Sequence, residues 1–118
     1  MQGTRLQKIE RLIQKDLSEI LLGYAQQLRQ EGGEHSLVMI SVSEVRISPD
    51  LSIANVFLSI FPDAHQKDVM NHIEEDKGAI RGELGNRERH QLRIIPELKF
   101  HPDETIERME RIDELLRQ

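Results

Sequence analysis

The sequence predicts an α+β domain with the element order α-β-β-α-α-β and one further helix at the C-terminal end. Apolar residues recur at spacings of three and four near both ends of the chain, which is the period of an amphipathic helix. Between them lie three segments in which apolar and polar residues alternate, as in half-buried strands. A chain of 118 residues is long enough for one modest core, so we expect a single domain over residues 1–118.

The first predicted helix covers residues 4–28. Thr4 is a suitable N-cap, and Gly32-Gly33 ends the segment. The apolar positions that define its buried face are Leu6, Ile9, Leu12, Ile13, Leu17, Ile20, Leu21, Tyr24 and Leu28.

Two predicted strands follow and form a hairpin. Residues 36–47 alternate in hydrophobicity, with a one-residue slip between Val42 and Val45 that predicts a β-bulge. The turn is expected at Ser48-Pro49-Asp50, and residues 51–61 return as the second strand.

Two helices are predicted in the second half of the chain. The first is capped by Asp63, buries Val69, Met70 and Ile73, and stops at residues 76–78; the second covers residues 79–89. Gly78 is expected at the break, in a conformation or a close contact that a side chain would oppose.

The last predicted strand covers residues 92–100. Pro96 cannot donate to a strand ladder, so we expect a bulge at Pro96-Glu97 that turns Arg93 and Lys99 to opposite faces of the sheet. A final helix is expected from Pro102 or Asp103. Its apolar stripe would contain Ile106, Met109, Ile112, Leu115 and Leu116.

Composition excludes several classes of function. The chain has no cysteine, which rules out disulfides and thiol catalysis and fits a reducing compartment. No apolar run approaches the roughly 20 residues of a membrane span, so we expect a cytoplasmic protein without a membrane partner. The five histidines are scattered and match no metal or catalytic motif, so we expect no enzyme activity, metal or cofactor.

The charge distribution leaves room for a nucleic-acid partner although the net charge is −5. Residues 1–30 carry five basic and three acidic side chains, and residues 76–101 carry six basic and four acidic ones. If these two segments share a face, an acidic protein can present a positive patch. Ordinary solvated faces explain the charges equally well.

Three strings of residues are similar to a known family. They are Ile-Ser-Pro-Asp-Leu-Ser-Ile-Ala-Asn-Val-Phe at 47–57, Gly-Ala-Ile-Arg at 78–81, and Leu-Arg-Ile-Ile-Pro-Glu-Leu-Lys-Phe at 92–100. Together with the element order they resemble the ribosome-binding factor A family, which has a type II K-homology-like fold. The resemblance extends from Thr4 to about Leu116.

The resemblance implies an RNA-binding assembly factor whose partners are the free 30S subunit and its 16S rRNA. It implies action late in 30S assembly, support of 16S rRNA 5′-end processing and adaptation to cold; we also expect a monomer. The expected RNA-binding residues lie on the first helix, at the helix break and on the last strand. Six of them are basic, and the seventh is the glycine at the break: Arg5, Lys8, Lys15, Lys77, Gly78, Arg81 and Arg93.

The chain departs from the family pattern at the break between the paired helices. The family has an Ala-x-Gly kink, whereas this chain has Asp76-Lys77-Gly78; the acidic residue weakens phosphate binding there. The sequence Gly82-Glu-Leu-Gly85 matches the GXXG consensus of the loop in other K-homology domains. Its middle residues are acidic and apolar, so it is predicted to be helix interior.

A competing hypothesis is a K-homology-like adaptor that binds a basic partner protein. Its binding surface would be the acidic hairpin formed by Glu31, Glu34, Glu44, Asp50 and Asp63.

Overall fold

A computed structural model describes residues 4–33 and 37–103. Its main elements are three helices and three strands. A short 3₁₀ helix at Asp63–His65 lies between the second strand and the second helix. The helices and strands are α1 (Arg5–Glu31), β1 (Met39–Ile47), β2 (Ile53–Phe61), α2 (Gln66–Glu75), α3 (Lys77–Glu88) and β3 (Glu97–Pro102). This confirms the predicted order α-β-β-α-α-β. The predicted last helix lies outside the described residues beyond Asp103.

The three strands form one sheet in the order β1-β2-β3, with β1 antiparallel and β3 parallel to the central β2. Alternate strand residues face the three described helices and form one apolar cluster with them. The prediction that these helices cover a single face of the sheet is therefore confirmed.

Helix α1 is fixed to β1 along its length. At its start, Thr4 and Gln7 form a reciprocal capping box. The Glu10 carboxylate then accepts a hydrogen bond of 2.9 Å from the Ile47 amide, and near the other end the Arg29 guanidinium donates to the Val38 carbonyl at 2.8 Å. The first bond satisfies the amide of the last residue of β1, and the second satisfies the carbonyl of the residue just before β1. Together they hold the helix in register with the strand.

The bulge predicted in β1 is confirmed. The pairing with β2 shifts between Val42 and Glu44, so that Ser43 is the additional residue. The hairpin turn is closed by Asp50, whose carboxylate accepts hydrogen bonds from the hydroxyls of Ser48 and Ser52, both at 2.7 Å. These bonds lower the pKa of Asp50 to about 2.

Two predictions about the paired helices are wrong in detail. Asp63 lies in the 3₁₀ helix and does not cap α2, whose N-cap is His65. The break falls at Asp76 rather than at Gly78, which is the second residue of α3. A Cβ atom at Gly78 would meet no atom within 4 Å, so neither close packing nor a left-handed backbone requires glycine there.

Strand β3 starts five residues later than predicted. It begins at Glu97, which pairs with the first residue of β2, Ile53, and it runs to Pro102 without a register shift. The bulge expected at Pro96-Glu97 is therefore absent, and Arg93 lies outside the strand. Pro102 ends β3 and does not begin a helix, in contrast to one of the two starts predicted for the last helix.

The outer face of the sheet contains one buried aromatic residue. Phe57 lies between the inward-facing Val56 and Leu58, yet its side chain is fully buried. The His101 ring stacks on it with a centroid separation of 5.2 Å, and His101 also hydrogen-bonds Asn55 at 2.9 Å. Burial, and then the charge of Lys99, lower the pKa of His101, so its ring packs as a neutral group.

Candidate nucleic-acid interface

Four cations of α1 form an exposed row, called here the basic stripe: Arg5, Lys8, Arg11 and Lys15. Spacings of three and four residues place them on one side of the helix. They line a cleft of about 470 Å³ whose opposite wall is formed by Gln91 and Leu92. Of the predicted RNA-binding residues, Arg5, Lys8 and Lys15 are thus brought together.

The acidic residues nearest the basic stripe point elsewhere. Between residues 5 and 18 the chain has only two, Glu10 and Asp16. Glu10 accepts the hydrogen bond from β1, and Asp16 faces Glu88 of α3. None of the four stripe cations forms an ion pair with another described residue. The cleft can therefore offer to phosphate groups four charges that form no ion pair within the described residues.

Arg11 was missed by the sequence reasoning. It is exposed and lines the same cleft as Lys8 and Lys15. The sequence contained a signal for it: Arg11 follows Lys8 by three residues, a spacing that places both on the same side of a helix.

Lys77 and Gly78 lie at the other end of α1. The Tyr24 hydroxyl donates a hydrogen bond of 2.7 Å to the carboxylate of Asp76, which fixes the helix break beside Tyr24. Tyr24 is nine residues from Lys15, or about 14 Å along a helix. The structure therefore does not bring Lys77 and Gly78 to the basic stripe.

The environment of the helix break is acidic. Lys77 forms an ion pair of 3.1 Å with Glu74. Burial, the hydrogen bond to Asp76 and the charges of Asp76, Glu31 and Glu75 raise the pKa of Tyr24. Asp76 thus anchors the break to α1, and its charge makes the break less favourable for phosphate than the basic stripe.

Arg81 has an internal role. Its guanidinium donates hydrogen bonds to the carbonyls of Ile95 and Pro96, the latter at 3.1 Å. These bonds connect α3 to the residues that lead into β3. The structure thus gives this predicted phosphate ligand two backbone partners of its own.

Replacing Arg81 with Ala should lower the free energy of unfolding by about 1–3 kcal/mol, because it removes two bonds from a charged donor. Arg89→Ala, at an exposed position one residue beyond α3, should change it by less than about 0.5 kcal/mol. Urea denaturation of both variants measures the difference. Equal stabilities would show that the Arg81 bonds contribute nothing.

Arg93 is exposed and follows directly on Leu92, which lines the basic cleft. Of the predicted residues outside α1, it is therefore the one that follows a cleft-lining residue directly in the chain.

A buried carboxyl group lies at the C-terminal end of α3. Glu88, the last residue of α3, is 0% exposed, and no N–H or O–H group of the described chain reaches its carboxylate oxygens. Burial, and then the hydrogen bond and charge of the neighbouring Asp16 carboxyl, raise the pKa of Glu88 to about 8. Glu88 is therefore mostly protonated at neutral pH and can donate to Asp16.

The described residues offer little for other kinds of site. Residues 82–85 lie within α3 with Leu84 buried, as predicted for helix interior. His72 and Asp68 form a partly exposed pair at 3.8 Å. Within residues 4–33 and 37–103, no three His, Asp or Glu side chains converge as metal ligands, and no helix is long and apolar enough to cross a bilayer.

A family model described as ribosome-binding factor A matches residues 5–116. The chain belongs to the ribosome-binding factor A family. It is 42% identical over 113 residues to the ribosome-binding factor A of Christiangramia forsetii, covering 96% of this chain and 82% of that protein. With the Chlorobaculum tepidum ribosome-binding factor A it shares 35% identity over 114 residues, or 96% and 88% of the two chains.

The fold comparison agrees with the family assignment. The crystal structure of ribosome-binding factor A from Thermus thermophilus superposes with a TM-score of 0.68 at 18% identity, over 86% of this chain and 99% of that one. The resemblance inferred from the three sequence strings and the K-homology-like fold are both confirmed.

Proposed function

We propose that this protein binds RNA of the immature small ribosomal subunit through the basic stripe, with Arg93 beside it. The observation that supports this most directly is the row of four exposed cations without a described acidic partner. Lys and Arg in such a row attract the RNA backbone regardless of base sequence. An RNA role for Lys77, Gly78 and Arg81 stays a prediction.

Membership of a family named for ribosome binding supports the ribosome as the target. The finer parts of the proposal follow from the resemblance. They are contact with 16S rRNA on the free 30S subunit, support of late maturation and 5′-end processing, and adaptation to cold. We further propose that the protein acts in the cytoplasm as a monomer, without catalysis and without a cofactor.

The adaptor hypothesis has weaker support. Two carboxylates of the acidic hairpin already have internal partners: Glu44 forms an ion pair of 2.9 Å with Arg46, and Asp50 closes the turn. Glu34 lies outside the described residues, and Glu31 lies near Tyr24 at the end of α1. The hairpin is therefore less available to a basic partner than its composition indicates.

Co-sedimentation with purified 30S subunits over a series of salt concentrations tests the proposal. Four phosphate contacts predict a slope of about −3 to −4 in a plot of log affinity against log salt, and so a loss of about 100-fold between roughly 50 and 200 mM. A slope near zero, or no binding at low salt, would contradict it.

A further inference from the structure

Residues 91–96 form a short connection whose two ends are both fixed. At the start, the amides of Gln91 and Leu92 donate to the Glu88 carbonyl at 2.8 and 2.9 Å. At the end, Arg81 binds the carbonyls of Ile95 and Pro96. The backbone of the connection is therefore held by hydrogen bonds on both sides of its middle.

The side chains of this connection pack inward on both sides of its middle and are exposed in the middle itself. Leu92 and Ile95 pack against the core, and Pro96 is buried. Arg93 and Ile94 between them are exposed, and Ile94 is the most exposed of the large apolar residues in the described chain, at 76%. We call these two residues the tip.

The position of Ile94 distinguishes it from an ordinary surface residue. Isolated apolar side chains are common on protein surfaces, so exposure alone does not mark a site. Ile94, however, follows Arg93 on a fixed backbone, two residues from the Leu92 wall of the basic cleft. An RNA backbone that lies along the basic stripe would also run along the Leu92 wall, which the tip follows directly in the chain.

We propose that Ile94 is an apolar RNA contact, which packs against a ribose or an unstacked base while Arg93 and the basic stripe bind phosphates. Apolar side chains can act as wedges at nucleic-acid bases, and single-stranded or bulged RNA exposes unstacked bases. A fixed backbone lowers the entropy that ordering such a contact would cost. This inference rests on the proposed function.

Ile94→Ser tests the apolar contact. Removing the hydrocarbon that the complex would bury should weaken binding to the 30S subunit about tenfold, while the salt slope stays unchanged because no charge is removed. The matched control is Leu22→Ser, at an exposed apolar position on α1 outside the basic cleft, which should bind like the unchanged protein. Both variants should keep the melting temperature within a few degrees.

The outcomes separate the inference from the proposed function. If Ile94→Ser binds normally while reversal of the stripe charges abolishes binding, the apolar contact is wrong and the basic stripe stands. Equal weakening by Ile94→Ser and Leu22→Ser, or a changed salt slope, would also overturn it. Failure of the unchanged protein to bind the 30S subunit would refute both ideas.

Photo-crosslinking identifies what Ile94 touches. A benzophenone amino acid in place of Ile94, in a complex with the purified 30S subunit, should crosslink to rRNA. Crosslinks recovered only on a ribosomal protein would show that the tip binds protein, and would overturn the RNA contact.

Discussion

Lys8→Glu together with Lys15→Glu should weaken binding to the 30S subunit by about 100-fold at low salt, because two phosphate contacts are lost and two repulsive charges are introduced. Both side chains are exposed, so the fold should be retained, as the circular dichroism spectrum can check. The plot of log affinity against log salt should become less steep by about two, which is about one for each phosphate contact removed.

The matched control changes the net charge equally at other places. Lys67→Glu together with Lys99→Glu alters two exposed lysines, one on α2 and one on β3. If affinity depends on overall charge alone, both double variants should weaken binding to the same extent. Equal losses would therefore contradict a specific role for the basic stripe.

Arg81 stays unchanged in this experiment. The sequence placed Arg81 among the expected RNA-binding residues, and its charge could be reversed together with that of Lys8. Because Arg81 holds the carbonyls of Ile95 and Pro96, its reversal would disturb the connection into β3. Lost binding would then have two explanations.

The helices and the hairpin were predictable because their signals are local. The spacing of Ile9, Ile13, Leu17 and Ile20 identified the buried face of α1. The phase slip after Val42 identified the bulge at Ser43. In both cases the residues that carry the pattern also make the contacts.

The start of β3 was not predictable because its partner determines it. Leu92 and Ile94 alternate like strand residues, but β2 begins at Ile53, which pairs with Glu97. Residues 92–96 have no β2 residues left to pair with, and Glu88 and Arg81 bind their backbone groups instead. This register depends on long-range contacts that periodicity does not report.

The candidate site was predictable in part for the same reason. A helical stripe follows from spacing within one segment, so Lys8 and Lys15 were found together. Whether Lys77 joins them depends on how α3 lies against α1. The Tyr24–Asp76 hydrogen bond places Lys77 near the C-terminal end of α1, away from the basic stripe. The buried Glu88 was unexpected, because its place in the sequence resembles an ordinary charged end of a helix.

Glu88→Gln should raise the free energy of unfolding at pH 7 by about 2 kcal/mol. The pKa of Glu88 is about 8 in the folded chain against an ordinary 4.5. The folded chain therefore holds a proton that the unfolded chain releases, and stability falls by up to about 1.4 kcal/mol per pH unit across that interval. The stability that the proton on Glu88 contributes is fully present below about pH 4.5, and it is lost as the pH rises through about 8.

A glutamine at position 88 is neutral at every pH and can donate its amide N–H to Asp16. The stability of Glu88→Gln should therefore vary less between pH 5 and 8 than that of the unchanged protein, as urea denaturation at several pH values would show. Glu83→Gln, on the exposed side of the same helix with a 4.0 Å contact to Arg87, should leave the pH profile unaltered.

Asp16→Asn separates the two causes of the raised pKa. Burial is the larger cause and the Asp16 carboxyl the smaller, so Asp16→Asn should lower the pKa of Glu88 only in part and leave most of the pH dependence in place. Identical pH profiles for Glu88→Gln and the unchanged protein would mean that Glu88 ionises normally. The carboxyl would then have to be reached by water or by a cation, which requires looser packing of α1 and α3 around Glu88 than its full burial implies.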